Sequence, residues 1–235
     1  MSRPEHHAGG ARLVPLPERA LWLPEAGLLL VADAHIGKAQ SFRRLGVPVP
    51  EGTTAGTLAR LDVALARCAA ESGTGAPVRG IVFLGDLLHA ARGRSAGTLA
   101  TVAAWRDRHA ALELTLVRGN HDGHAGDPPA DWGVACVDEP WSPPGLAGLA
   151  LAHHPDAVPG RYVLAGHVHP AVVLGGRAHQ RLRLPCFHFG PAVGVLPAFG
   201  EFTGMHVLPR GPGDRVFACT AEAVVALPAL NEPAP

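Results

Sequence analysis

The sequence predicts an α/β fold in which two mixed β-sheets pack face to face, flanked by helices. Two observations predict it. Before Gly133, short apolar runs alternate with stretches of helical period; after it, short strand-like runs separated by Gly and Pro dominate. At 235 residues, 47% hydrophobic and 17% charged, the chain is long enough for one substantial core. A single domain over residues 12–228 is expected, with flexible termini at 1–11 and 229–235.

From Arg12 the chain reads as three short strands, RLVPLP, ALWLP and GLLLVAD, whose prolines suit a sheet edge or hairpin. A helix is expected from Thr53 to Glu71. There Leu58, Leu61, Leu65 and Cys68 recur at spacings of three and four, and Thr53 or Thr54 can cap it. GIVFLGD then reads as a buried strand. A second helix over Ser95–His109 places Leu99, Val102 and Trp105 on one face, and the strand LELTLVRGNHD ends that unit. Later strand candidates are GVACV, GLALAHH, RYVLAGH, AVVLGG, RLRLPCF, AVGVLPAF, VFACT and AVVAL.

Twenty basic and 20 acidic residues give a formal net charge of zero. That excludes a uniformly basic nucleic-acid binder but not a local basic groove. Cys68, Cys136, Cys186 and Cys219 form no CxxC pair and read as reduced thiols of a cytoplasmic protein. The N-terminal MSRPEHHAGG lacks an apolar signal region, and no apolar run is long enough to span a membrane.

Five segments place ligand-type residues directly after an apolar run. They are LLLVADAH (Asp33, His35), IVFLGD (Asp86), LTLVRGNHD (Asn120, His121, Asp122), LALAHH (His153, His154) and YVLAGHVH (His167, His169). Loops at the carboxyl ends of strands are where open α/β sheets build their sites, so all five can meet on one rim. In Asp-x-His and His-x-His an extended backbone points both side chains the same way. A hydrolytic two-metal centre needs a bridging carboxylate with oxygen and imidazole ligands on either side, and these residue types supply it. Asn occurs only at positions 120 and 231; the chain's own residue frequencies predict GNHD by chance roughly 6 times in 10,000.

The ordered set DxH, GD, GNHD, H and GHxH resembles the calcineurin-like metallophosphoesterase superfamily, whose fold is an α-β-β-α sandwich. That resemblance implies one ion held by Asp33, His35, Asp86 and His169. A second would be held by Asp86, Asn120, His153 and His167, with Asp86 bridging. His153 is preferred to the adjacent His154 because its HxP context is like that of closer relatives. His121 resembles the family histidine that contacts phosphate and protonates the leaving group, with Asp122 orienting its imidazole; a helix N-cap is the other reading of Asp122. The ligand set contains no thiolate, which leaves manganese, iron or zinc; manganese is expected by analogy with the family.

The segments DAHIGKAQSFRRLGVPVPEGT, FLGDLLHAARGR, VRGNHDGHAGDPPADWG, YVLAGHVHP, RLRLPCF and VLPAFGEFTG extend the likeness to the bacterial ligase-associated DNA damage response endonucleases, PdeM-type metallophosphoesterases. That resemblance implies a manganese-dependent phosphodiesterase acting on DNA in repair, associated with an ATP-dependent DNA ligase and a helicase. Lys38, Arg43 and Arg44 after the first motif, and Arg92 and Arg94 after the second, could hold flanking phosphates, and Phe42 could stack on a base or anchor its loop. His89 in GDLLH is a further substrate-facing candidate. Strand edges after residue 170 could support a homodimer. A small-molecule phosphoesterase, for instance acting on cyclic nucleotides, is the alternative; a non-catalytic scaffold fits poorly with an intact ligand set.

Overall fold

The computed structural model describes residues 4–49, 52–71, 78–176 and 180–230. The first sheet holds β1 (His6–Ala8), β2 (Ala11–Pro15), β3 (Leu21–Leu23), β4 (Leu28–Ala32), β5 (Gly80–Leu84), β6 (Glu113–Val117) and β7 (Val134–Val137), side by side in chain order. Tight turns join β1 to β4, so those strands are antiparallel. From β4 to β7 the pairing is parallel, which demands longer crossovers. Helices α1 (Lys38–Arg44) and α2 (Thr53–Glu71) supply the first crossover and α3 (Ala96–Arg108) the second; α4 (Asn120–Ala125) follows β6.

The second sheet contains β8 (Leu149–Leu151), β9 (Tyr162–Ala165), β10 (Pro170–Gly175), β11 (Arg181–Phe189), β12 (Val193–Val195), β13 (His206–Val207), β14 (Arg215–Cys219) and β15 (Val224–Ala226). Its order is β13-β10-β11-β12-β9-β8, with β14 beside β11 and β15 beside β14. The long β11 allows this branching: Arg181–Pro185 pairs with β10, whereas Cys186–Phe189 pairs with β14.

Strand periodicity divides the core into two layers. Leu29, Val31, Ile81, Phe83, Leu114 and Leu116 pack against Leu58, Leu61 and Leu65 of α2 and Val102 and Trp105 of α3. The alternate residues Leu28, Leu30, Ala32, Val82 and Leu84 meet Leu149, Leu151, Leu164, Phe187, Phe189 and Phe217 of the second sheet. Burial on both faces is why β4 and β5 are continuously apolar. Each buried Leu, Val, Ile or Phe stabilises the fold by about 1.5–3 kcal/mol relative to exposure.

Helix α2 has the limits expected from its leucine spacing. Ser95 caps α3, its side chain accepting from the Thr98 N–H at 3.2 Å. Residues 6–8, inside the segment expected to be flexible, form β1, and the His6 ring stacks on Phe189 at 4.5 Å. Residues 1–3 and 231–235, the outer parts of those termini, lie outside the described residues. Helices α1 and α4 were not expected; at 7 and 6 residues they are too short for a 3.6-residue period to register. The run after Arg118 that was read as strand is therefore the start of α4. None of the four cysteines is joined in a disulfide. Among the described residues no helix is long and apolar enough to cross a membrane.

Candidate metal centre

The carboxyl ends of β4, β5, β6, β8 and β9 open onto one place where the two sheets meet. Main-chain bonds from Phe199 N–H to the Ala32 carbonyl (2.8 Å) and Gly200 N–H to the Asp33 carbonyl (3.0 Å) stitch the sheets together there. The structure brings Asp33, His35, Asp86, Asn120, His153, His167 and His169 into this cluster. Asp33 and His153 are fully buried, and Asp86 and His35 nearly so.

Asp86 lies between two groups of ligand atoms. Its Oδ1 is 3.5 Å from His153 Nε2, and its Oδ2 is 3.8 Å from His35 Nε2. Asp33 Oδ2 accepts the His167 N–H at 2.9 Å, while its Oδ1 has no hydrogen-bond partner and lies 3.4 Å from His169 Nε2. On the other side His153 Nε2 is 2.8 Å from Asn120 Oδ1 and 3.0 Å from His167 Nδ1.

Main-chain carbonyls set the imidazole orientations. His153 gives Nδ1–H to Leu84 (3.1 Å), His169 to Gly204 (3.0 Å) and His121 to His89 (2.9 Å). His153 and His169 then direct Nε2 and its lone pair into the centre, the arrangement that fixes tautomers in metal sites. Burial, with Lys38 and three nearby histidines adding to it, pushes the His35 imidazole down to about 2, leaving it neutral and able to donate a lone pair. Lone pairs thus converge on a buried space with carboxylate charge and an orphaned oxygen. This donor set fits divalent cations: Asp33, His35 and His169 offer ligand atoms within 4.8 Å of one another, as do Asp33, Asp86 and His153.

The local backbone is strained to achieve this. Asp33, His35, Asp86, His167 and His169 all have positive φ, between 45° and 67°. For residues other than glycine this costs on the order of 1–3 kcal/mol each and concentrates at functional sites. Close packing also requires glycine at two neighbours. A Cβ on Gly119 would come within 2.6 Å of Asp86 Oδ1, and one on Gly166 within 2.6 Å of Asp33 Oδ2.

His154 lies beside His153 and His167, the three offering ligand atoms within 4.8 Å of one another, but its Nδ1 is paired with Glu139 Oε1 at 2.6 Å. Glu139 escaped the sequence reading, yet its Oε2 also accepts the N–H of His153 (2.6 Å) and of His154 (2.9 Å). No local motif marks it; it acts only because β7 ends beside the loop after β8.

One expectation is corrected. Asp122 does not orient the His121 imidazole. Its buried carboxylate accepts main-chain N–H groups of Asp86 (2.7 Å), Gly119 (2.9 Å), Leu87 (3.1 Å) and Leu88 (3.4 Å). Position 122 is the third residue of α4, where a carboxylate caps the helix start, and the same oxygens reach the loop after β5. His121 is instead held by the His89 carbonyl and by ring stacking: Phe42 on His89 at 6.1 Å and His89 on His121 at 4.9 Å.

Among the proposed substrate contacts, Lys38 and His89 lie against the cluster. Burial lowers the Lys38 ammonium from its ordinary value, opposed by the nearby charges of Asp33 and Asp86. Arg43 and exposed Arg44 are on α1, and exposed Arg92 is on a 3-10 turn, Ala91–Gly93, that packs against it. Arg94 has a different engagement: its Nη1 donates to the carbonyls of Ala125, Gly126 and Asp127, securing the end of α4. Phe42 is half-buried with one face on His89.

Fold and site together define a mixed α/β protein with a buried histidine–carboxylate centre of metal-binding character. The chain is similar to the crystal structure of the Pseudomonas putida nuclease MPE, with 42% identity and a TM-score of 0.78 over 96% of this chain and 100% of that one. It belongs to the same family as that nuclease. Neither protein-family models nor curated proteins give a match.

Proposed function

We propose that the chain is a two-metal phosphodiesterase that hydrolyses phosphodiester bonds in DNA, a member of the calcineurin-like metallophosphoesterases. The observation that carries this reading is the convergence of six ligand-type side chains around Asp86, whose two oxygens face opposite halves of the cluster. The 42% identity to a nuclease over almost the whole chain supports the substrate class.

Asp33, His35, Asp86 and His169 would hold one cation, and Asp86, Asn120, His153 and His167 the other. An all-oxygen and imidazole set suits manganese, with iron or zinc as competitors. Such ions supply the Lewis acidity that lowers the pKa of a water nucleophile and offsets phosphate charge. The protein's part is to hold those ligands rigidly and to manage the leaving group. Two contacts support this role for His121: its Nδ1–H is given to the His89 carbonyl, and Nε2 lies half-exposed 3.9 Å from Asp86 Oδ2. From there Nε2–H of the imidazolium would protonate the departing oxygen. Lys38, Arg43, Arg44, His89 and Arg92 are the proposed contacts to substrate phosphates. The resemblance in the motifs extends the proposal to DNA repair alongside an ATP-dependent ligase and a helicase; the scattered cysteines support a cytoplasmic protein, and strand edges after residue 170 a homodimer.

The test is conversion of supercoiled plasmid to nicked circles by the purified protein with manganese, lost in Asp86→Ala. Cleavage of cyclic mononucleotides with plasmid left intact would replace this reading by a small-molecule phosphoesterase.

A further inference from the structure

Seven non-glycine residues among those described have left-handed backbone, and five of them are the ligand candidates above. The other two, Arg19 (φ 65°) and Phe202 (φ 57°), line one cavity of 470 Å³ whose wall includes His169. A large side chain in that backbone region works against local stability, so its presence beside the metal centre points to a role of its own.

The cavity is bounded by the turn between β2 and β3, by α2, by β11 and by the 198–205 segment. Arg60 from α2 and Arg183 from β11 join Arg19 there, against the single carboxylate of Glu201. Arg60 Nη2 donates to Glu201 Oε1 at 3.2 Å and Nη1 to the Phe199 carbonyl; Arg183 Nη2 donates to the Met205 carbonyl. Both guanidinium groups are thus positioned by main chain. Among the described residues no hydrogen bond or ion pair engages the Arg19 guanidinium. Burial first, and then the charge of Arg19, holds Arg60 below its ordinary value, against the opposing charges of Glu201 and Glu18. A second cavity of 490 Å³ shares Arg19, Arg60 and Pro185 and continues the groove towards Cys219 and Thr220. Phe202, 51% exposed, lines the same cavity as His169.

Resting on the nucleic-acid reading above, we propose that this cavity is a subsite for the nucleotide adjoining the cleaved bond, with its phosphate on Arg19, Arg60 and Arg183 and its base against Phe202. Convergent guanidinium groups neutralise a phosphodiester without reading sequence, and an exposed aromatic ring stacks on any base. The groove leads away from His169, the direction a polymer must take to leave the centre.

The test measures binding of a fluorescein-labelled oligothymidylate of about a dozen nucleotides by anisotropy in metal-free buffer, across a salt series. Arg19→Gly is the informative variant, because glycine accepts the left-handed turn and the melting temperature is expected to hold or rise. Arg19→Gly and Arg183→Ala should each raise Kd about fivefold or more and reduce the slope of log K against log salt by about 0.7. Phe202→Ala should raise Kd about fivefold with the slope unchanged. With manganese present, the loss of oligonucleotide cleavage should exceed the loss on bis(p-nitrophenyl) phosphate by about the same factor. Wild-type binding with all three variants at wild-type affinity and slope overturns the subsite and leaves the nuclease reading standing. Wild-type protein that hydrolyses the small diester but neither binds nor cleaves the oligonucleotide overturns the nucleic-acid reading and the subsite with it.

Discussion

The Asp122 carboxylate lies 2.7 Å from the main-chain nitrogen of Asp86, joining the start of α4 to the loop that carries the central carboxylate of the site. With Gly119, Leu87 and Leu88 also donating, one side chain satisfies four main-chain N–H groups. Asp122→Ala should therefore act on architecture. It is expected to lower stability by about 2–4 kcal/mol in chemical denaturation, since buried donors lose their acceptor. Manganese affinity should fall with it, because the Asp86 and Asn120 loops lose their common tether. Asp122→Asn, with one acceptor oxygen, should fall between. A variant with wild-type stability and metal affinity but a slowed reaction would restore the imidazole-orienting role rejected above.

Metal binding should be visible as folding free energy. Asp33 and Asp86 are both buried, and Asp33 Oδ1 has no hydrogen-bond partner; a bound cation relieves both costs. At a hundredfold excess over Kd, manganese stabilises by about 2.7 kcal/mol, a rise in melting temperature of roughly 5–10 °C for a chain of this size. Chelator should reverse it, and Asp86→Asn should abolish the response. A melting curve indifferent to manganese across that concentration range would remove the metal centre from the account.

Arg118 ties the segment after α4 to the residue that follows β7. Its Nε and Nη2 donate to the two oxygens of Asp127 at 2.9 Å each, and Nη1 to Asp138 Oδ1 at 2.9 Å. The Arg118 hydrogen bonds hold the Asp127 carboxyl below its ordinary value of 3.8. Between the two values the unfolded chain binds more protons, so the stabilising contribution is complete above about 3.8 and is lost as pH falls through the lowered value. Arg118→Met should move the Asp127 titration upward, measured by carbon-detected NMR. Both side chains are partly exposed, so the stability cost should stay below about 1 kcal/mol. An unmoved titration would mean that the ion pair is not formed in solution.

These relationships show where sequence and structure part. The cluster was legible because each candidate ligand follows a run of strand-forming apolar residues, so topology alone carries Asp33, Asp86 and Asn120 to one rim. Helix α2 was legible because 19 residues allow its leucine period to repeat. The supports were not. Asp122 reaches the loop after β5, 34–36 residues away in sequence, and Arg94 grips carbonyls 31–33 residues away. Main-chain acceptors such as those of Leu84 and Gly204 leave no mark in residue identity. The arginines beside His169 come from a hairpin, a helix and a distant strand, with no shared motif.

Glu139 gives the sharpest separation of support from ligand. It holds the main-chain N–H groups of His153 and His154 and the His154 imidazole, while only His153 turns Nε2 towards Asn120 and Asp86. Burial raises the Glu139 carboxyl, but the bonds from His154 and His153 outweigh it and leave the group below its ordinary value, so it is a carboxylate at neutral pH. Glu139→Ala should weaken manganese binding about 10–100-fold, the range typical of losing an outer support of a metal ligand. His153→Ala should lose more, because a ligand atom is gone. His154→Ala removes one hydrogen bond at a half-exposed ring and should keep metal affinity within about threefold, the effect of less than 1 kcal/mol. Competition against a fluorescent chelator reads all three on one scale. If His154→Ala loses as much affinity as His153→Ala, the ligand at the end of β8 is the second histidine, and Glu139 is then positioning that imidazole directly.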